Sequence, residues 1–227
     1  MNAATARKPG PVGAQDSLKI TEIFRSLQGE SVNVGLPTVF IRLTGCPLRC
    51  QYCDTAYAFT GGQRMSITEI LKKVRGLSTR HICVTGGEPL AQPGCFELLR
   101  QLCDVGYSVS LETSGAIDIT AVDTRVQKVV DIKTPGSAEV QRNRWQNIDS
   151  LTAHDQVKFV ICNREDFDWS VARIQEHGLS GRCGLLFSPS YTEVRAEELA
   201  DWLLDSRLEA RLQIQMHKLL WGEKPGV

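Results

Sequence analysis

Three thiols within eight residues are the first feature of this sequence that could do chemistry. They lie in the run Cys46-Pro-Leu-Arg-Cys50-Gln-Tyr-Cys53, directly after the apolar stretch Thr38-Val39-Phe40-Ile41-Arg42-Leu43, which reads as a strand. A short loop of this kind can wrap three sulfurs around one face of a [4Fe–4S] cube. Such a cube is usually held by four thiolates, so three leave one iron open. A zinc site is the rival reading. Structural zinc wants four ligands, and Cys83, Cys162 or a histidine could supply the fourth. Zinc modules usually pair two CxxC-type knuckles, and no second knuckle follows, so spacing favours the cluster. A third reading, three ordinary buried thiols, suits poorly a loop interleaved with Pro47, Arg49 and Gln51. The other five cysteines are scattered and read as small hydrophobic residues. Cys95 and Cys103 lie eight apart on a helical pattern and should share a buried face.

A loop carrying chemistry needs elements to hold it. Strand-like runs at 81–84, 107–111, 128–132, 157–161, 184–187 and 212–216 alternate with helical stretches. Ser66-Ile-Thr-Glu69 is a capping box, opening a helix to about Arg75 with Gly76 at its end; further helices are expected at 96–105, 167–176 and 195–204. Strands alternating with helices imply parallel crossovers. The fold class expected is therefore α/β: a single-domain incomplete (β/α) barrel or strongly curved open sheet, mostly parallel. Such sheets place chemistry at the carboxyl ends of their strands. Polar and Gly-rich groups recur there: Thr85-Gly86-Gly87-Glu88-Pro89, Glu112-Thr113-Ser114-Gly115, Lys133-Thr134-Pro135, Ser188-Pro189-Ser190 and His217-Lys218.

The 227 residues carry 26 Lys+Arg against 26 Asp+Glu, with 42% apolar and 23% charged residues. This balance suits a globular domain with a sizeable core and leaves no basic footprint for nucleic acid. No apolar stretch reaches the length of a membrane span. Residues 1–17 lack the apolar centre of a secretory signal and read as a disordered lead-in to one domain over 18–227. Eight cysteines without a signal point to a reducing compartment, the cytoplasm by default.

Cys46-x3-Cys50-x2-Cys53, with Tyr52 before the third cysteine, and Thr85-Gly86-Gly87-Glu88-Pro89 resemble, in order and separation, two motifs of the radical S-adenosylmethionine (SAM) superfamily. Within it, the chain from about Ile20 is similar to the 7-carboxy-7-deazaguanine synthase family. The marks are Ser26-Leu27-Gln28-Gly29-Glu30, Phe40-Ile41-Arg42-Leu43-Thr44-Gly45-Cys46, Cys53-Asp54-Thr55 and Gln215-Met216-His217-Lys218. The resemblance implies a [4Fe–4S] cluster on Cys46, Cys50 and Cys53, with SAM on the open iron and cleaved to a 5′-deoxyadenosyl radical. The reaction implied is ring contraction of 6-carboxy-5,6,7,8-tetrahydropterin to 7-carboxy-7-deazaguanine with loss of ammonia, a step toward queuosine.

The resemblance also implies roles for particular residues. Leu27, Gln28, Gly29, Glu30, Thr85 and His217 would contact the pterin, and Arg42 would grip its carboxylate. Tyr52, Cys53, Asp54 and Gly87 would contact SAM, joined by Glu112, Ser114, Asp131 and Lys133 for its ribose and carboxylate and by Ser188 at the adenine end. Thr55 would ligate Mg²⁺. No side chain is expected to be catalytic, since SAM carries the radical. A flavodoxin or ferredoxin as electron donor and a homodimer are implied, with neither nucleic acid nor membrane as partner. Two alternatives stand beside this: an activase making a glycyl radical on a partner enzyme, and a zinc-stabilised binding module. The 27–30 segment and Arg42 speak against the first, and the Gly-Gly-Glu-Pro turn is unexplained by the second.

Overall fold

The computed structural model of the chain describes residues 17–191, 193–222, 224 and 226. The expected lead-in lies outside them except for Ser17, which pairs with Ser66 as the first residue of a strand. That strand, β1 (Ser17–Leu27), runs antiparallel to both β2 (Pro37–Leu43) and β3 (Gln63–Ser66). Six strands then join β2 in parallel: β4 (His81–Gly86), β5 (Ser108–Thr113), β6 (Gln127–Ile132), β7 (Gln156–Ile161), β8 (Gly184–Pro189) and β9 (Arg211–Leu212). Their order is β3-β1-β2-β4-β5-β6-β7-β8-β9. The mostly parallel α/β sheet read from the sequence is the one the chain forms, with two antiparallel strands added at one end.

The helices between the strands are set by local chemistry. In α1 (Ile67–Gly76) the Glu69 N–H donates to Ser66 Oγ at 3.3 Å, and the Ser66 N–H donates to Glu69 Oε2 at 2.7 Å. This reciprocal cap satisfies two otherwise orphaned donors. α2 (Gly94–Asp104) buries Cys95 and Cys103 beside Leu98, Leu99 and Leu102, so the two cysteines do share a face. α3 (Arg164–Glu176) is capped by Asn163, and α4 (Ala196–Ser206) follows β8. Phe167 of α3 meets Phe187 of β8 at 5.3 Å and Trp202 of α4 at 5.8 Å between ring centroids.

Two features position the site. The first is a bulge in β1: Ile20 pairs with Leu43 and Glu22 with Arg42, leaving Thr21 as an extra residue. Bulges re-aim side chains. This one puts Glu22 and Phe24 on the same face as Arg42 and Phe40, with the two phenyl rings stacked at 5.1 Å. The second is a correction. The strand expected over 212–216 ends at Leu212, and α5 (Met216–Trp221) begins where the strand should have finished. Gln213 and Gln215 remain between the two elements, their side chains taken up by Glu30.

Candidate active site

One cavity of about 260 Å³ opens at the carboxyl ends of the parallel strands. Leu27, Gln28, Glu30, Arg42, Cys46, Cys50, Tyr52, Cys53, Asp54, Thr55, Thr85, Gly87, Glu112, Ser114, Asp131, Lys133, Ser188 and His217 all line it. Of the residues singled out by sequence, Gly29 alone is absent from the lining. It packs beneath His217, where a Cβ would run into the imidazole.

The cysteine loop forms one wall. Its three thiols are free and half-buried. Burial pushes Cys46 above its ordinary value and Cys50 up to about 11, so binding metal must release their protons. Among the described residues, no three His, Cys, Asp or Glu side chains are gathered into a cage for a single ion. A cube with four irons takes its thiolates on separate metal atoms, and three spaced thiols facing one cavity suit it. The turn after β4 backs the loop: the Glu88 N–H donates to the Gly45 carbonyl at 2.8 Å and the Gly87 N–H to Leu43 at 3.2 Å. Gly87 does not take a positive φ. Its need is space, since a Cβ would meet the Gly45 carbonyl and Cys46. The Tyr52 hydroxyl is buried without a partner among the described residues, and its ring lies 5.9 Å from the Lys133 ammonium. Burial, reinforced by Asp131, keeps that phenol protonated.

Glu88 entered the sequence reading only as part of the Gly-Gly-Glu-Pro turn, with no role of its own. It is fully buried, and its carboxylate accepts from the Leu90 N–H, the Thr113 hydroxyl and both the N–H and hydroxyl of Ser114. It ties the end of β4 to the end of β5, and in this structure it engages the Ser114 side chain expected to meet SAM. Thr55 Oγ1 lies 3.7 Å from Cys53 Sγ. Asp54 pairs with Lys218 at 3.2 Å and accepts from Gln215. Burial alone would raise its carboxyl, but Lys218 and Gln215 outweigh that and hold it low.

The opposite wall is rich in fixed charge. The Arg42 Nε donates to Glu22 Oε1 at 2.7 Å, which also accepts from Tyr57 at 2.9 Å. Burial would lower the guanidinium's pKa, but Glu22 raises it. Glu112 sits between two candidate substrate contacts, accepting from Thr85 at 3.0 Å and Gln28 at 3.4 Å. Lys158, in the middle of β7, was not singled out by sequence. Its ammonium lies 2.9 Å from Glu30 and 3.8 Å from Asp131, which pairs with Lys133 at 3.0 Å. Burial works against both ammonium groups, yet the neighbouring carboxylates raise Lys158 and Lys133. A lysine inside the run Val157-Lys158-Phe159-Val160 was the available signal, of the same kind as Arg42 in β2.

Fold and cysteine loop together define a radical SAM protein: the description of the Radical SAM superfamily matches residues 40–203. Among solved structures, the crystal structure of QueE from Escherichia coli aligns with a TM-score of 0.72, covering 88% of this chain and 95% of that one at 22% identity. Streptococcus suis SuiB bound to S-adenosylmethionine aligns at 0.53, covering 75% and 48% at 14% identity. Likeness at these identities speaks for the fold. The 7-carboxy-7-deazaguanine synthase of Koribacter versatilis is 40% identical over 90% of this chain and 97% of its own length. That of Chlorobaculum tepidum is 41% identical over 90% and 94%. The chain belongs to the 7-carboxy-7-deazaguanine synthase family of the radical SAM superfamily.

Proposed function

We propose that this protein contracts the ring of 6-carboxy-5,6,7,8-tetrahydropterin to 7-carboxy-7-deazaguanine with release of ammonia, feeding queuosine or a related deazapurine. The supporting observation is that Arg42 and the Gln28 turn open into the same cavity as Cys46, Cys50 and Cys53. When bound, a [4Fe–4S] cluster with SAM supplies hydrogen-abstraction chemistry, leaving orientation and exclusion of side reactions to the protein. Cys46, Cys50 and Cys53 would hold the cluster's iron. Arg42, its Nε already engaged by Glu22, offers its two terminal nitrogens to the substrate carboxylate, a bidentate grip that a planar guanidinium is shaped for.

Leu27, Gln28 and Thr85 read the pterin edge, with His217 over it and Gly29 yielding the space that His217 occupies. Tyr52, Cys53, Asp54 and Gly87 hold SAM together with Glu112, Ser114, Asp131, Lys133 and Ser188. Thr55 would give a hard oxygen to a Mg²⁺ ion. A flavodoxin or ferredoxin supplies electrons to a cytoplasmic homodimer.

The test is titration of 6-carboxytetrahydropterin into reconstituted holoprotein containing SAM. Arg42→Ala should weaken binding roughly 10- to 100-fold, the loss of charge-assisted hydrogen bonds worth about 1.5–3 kcal/mol. Formation of 5′-deoxyadenosine from SAM and dithionite should survive. Unchanged affinity would place the carboxylate elsewhere.

A further inference from the structure

The sheet ends at β3 on one side and β9 on the other. β3 covers only the first part of β1, pairing with Ser17 to Ile20. The turn after β1 therefore crosses an open seam, held by its own backbone bonds to residues 35 and 36, by Gln156 and Lys158 of β7, and by a group from the far end of the chain. Ser31, with a left-handed φ of 65°, donates its N–H to Gln213 Oε1 at 2.5 Å. The same amide, through Nε2, donates to Glu30 Oε2 at 3.1 Å and to Ser188 Oγ at 3.3 Å. Its backbone N–H is fixed on the Phe187 carbonyl at 2.9 Å. The Gln213 side chain thus uses its acceptor and both amide hydrogens while only 6% exposed. A glutamine is one of the few side chains that can accept and donate twice from one planar group.

We propose that Gln213 is a positioning residue for the turn at residues 27–31: a clip across the open seam that sets the turn's register from behind the cavity wall. The neighbouring contacts fit this part. Gln215 Nε2 donates to Glu30 Oε1 at 2.9 Å, and the Met216 N–H to the Gly29 carbonyl at 3.2 Å. Three donors thus converge on Glu30, from Lys158, Gln213 and Gln215. Glu30 is thereby the anchor of the turn, and Gln28 is left to face the cavity. Gln213 itself stands outside the cavity lining, so its effect reaches a ligand through the residues it holds: mainly residues 28–31, and through one longer hydrogen bond Ser188. The functional half of this inference rests on the pterin reading of the turn.

The test uses two variants of anaerobically reconstituted holoprotein. Gln213→Met keeps the length and removes every hydrogen bond of the side chain. Gln213→Glu keeps the acceptor for Ser31 and sets a second carboxylate against Glu30. Amide hydrogen exchange without substrate is read first. Residues 28–31 should exchange at least about tenfold faster, about 1.4 kcal/mol, while α1 is unchanged. Steady-state assays follow: the KM for 6-carboxytetrahydropterin should rise about tenfold, with kcat and the rate of SAM cleavage by dithionite changed far less.

Unchanged exchange overturns the clip. Faster exchange with an unchanged KM overturns its positioning role. A uniform loss of protection, SAM cleavage and pterin affinity along with the melting temperature would make Gln213 an ordinary core residue. If Gln213→Met does not fold, Gln213→Glu carries the same selective expectation. A wild-type protein that ignores the pterin would sink the substrate reading, while the exchange experiment would still decide the clip.

Discussion

Cys50 carries the highest-shifted thiol of the cysteine loop, about 11, mainly through burial. A free thiol there stays protonated at neutral pH, and binding a metal releases its proton. Cys50→Ala should therefore lose the iron and acid-labile sulfide of reconstituted protein; a full cluster in this variant would remove Cys50 from the ligand set. Thr55→Ala should lower activity and flatten its response to added Mg²⁺, and an unaltered response would move the ion elsewhere. The cysteine loop and the Gly86-Gly87 turn were legible in the sequence because their chemistry is local, a matter of spacing within a few residues. The roles of Glu22, Glu88, Lys158 and Gln213 were not. Each acquires its meaning from a partner on another strand or loop: Glu22 from Arg42, Glu88 from Ser114, Lys158 from Glu30 and Gln213 from Ser31. Register across strands decides such pairs, and a single sequence does not print register.

At the scale of elements, the parallel strands were legible as apolar runs because a sheet covered by helices buries them. β1 was not, since its exposed and buried residues fall out of phase at the bulge. The strand expected over 212–216 arose from a real alternation, Leu212-Gln213-Ile214-Gln215-Met216. Alternate residues of an extended chain point the same way, and here Gln213 and Gln215 both point to Glu30 rather than continuing a ladder.

The Glu30–Lys158 pair gives this seam a pH dependence. Burial would raise Glu30, but Lys158, with help from Gln215, holds it below its ordinary 4.5. A depressed carboxylate contributes stability above its unfolded pKa and loses it as pH falls through the folded value. Lys158 is raised from 10.5, so its share is complete below that pH and lost only as pH rises through the higher folded value. Lys158→Met should cost about 3–5 kcal/mol near neutral pH by leaving a buried carboxylate unpaired. The gap to wild type in denaturant melts should narrow as falling pH protonates Glu30 in the variant, where burial is no longer offset by Lys158, and close further once wild-type Glu30 takes up its proton below its ordinary 4.5. A gap that stays constant down to pH 4 would show that Lys158 acts by packing alone.

Over the whole molecule, the partial barrel brings two separately encoded sets of residues to one end. The cysteine loop follows β2, while the charged wall is drawn from β1, β2, β5, β6, β7 and the C-terminal segment. No helix among the described residues is long and apolar enough to cross a membrane. The composition, with equal numbers of acidic and basic residues, could not foresee that buried cations and carboxylates would alternate around the cavity as Lys133, Asp131, Lys158 and Glu30 do.

The most direct measurement is an anaerobic assay of reconstituted protein with SAM, reductant, Mg²⁺ and 6-carboxytetrahydropterin, read by mass spectrometry. A cavity that holds cofactor and pterin together should yield 7-carboxy-7-deazaguanine. Formation of 5′-deoxyadenosine without that product, at pterin concentrations that saturate the titration, would contradict the substrate half of the site while leaving its cysteine half standing.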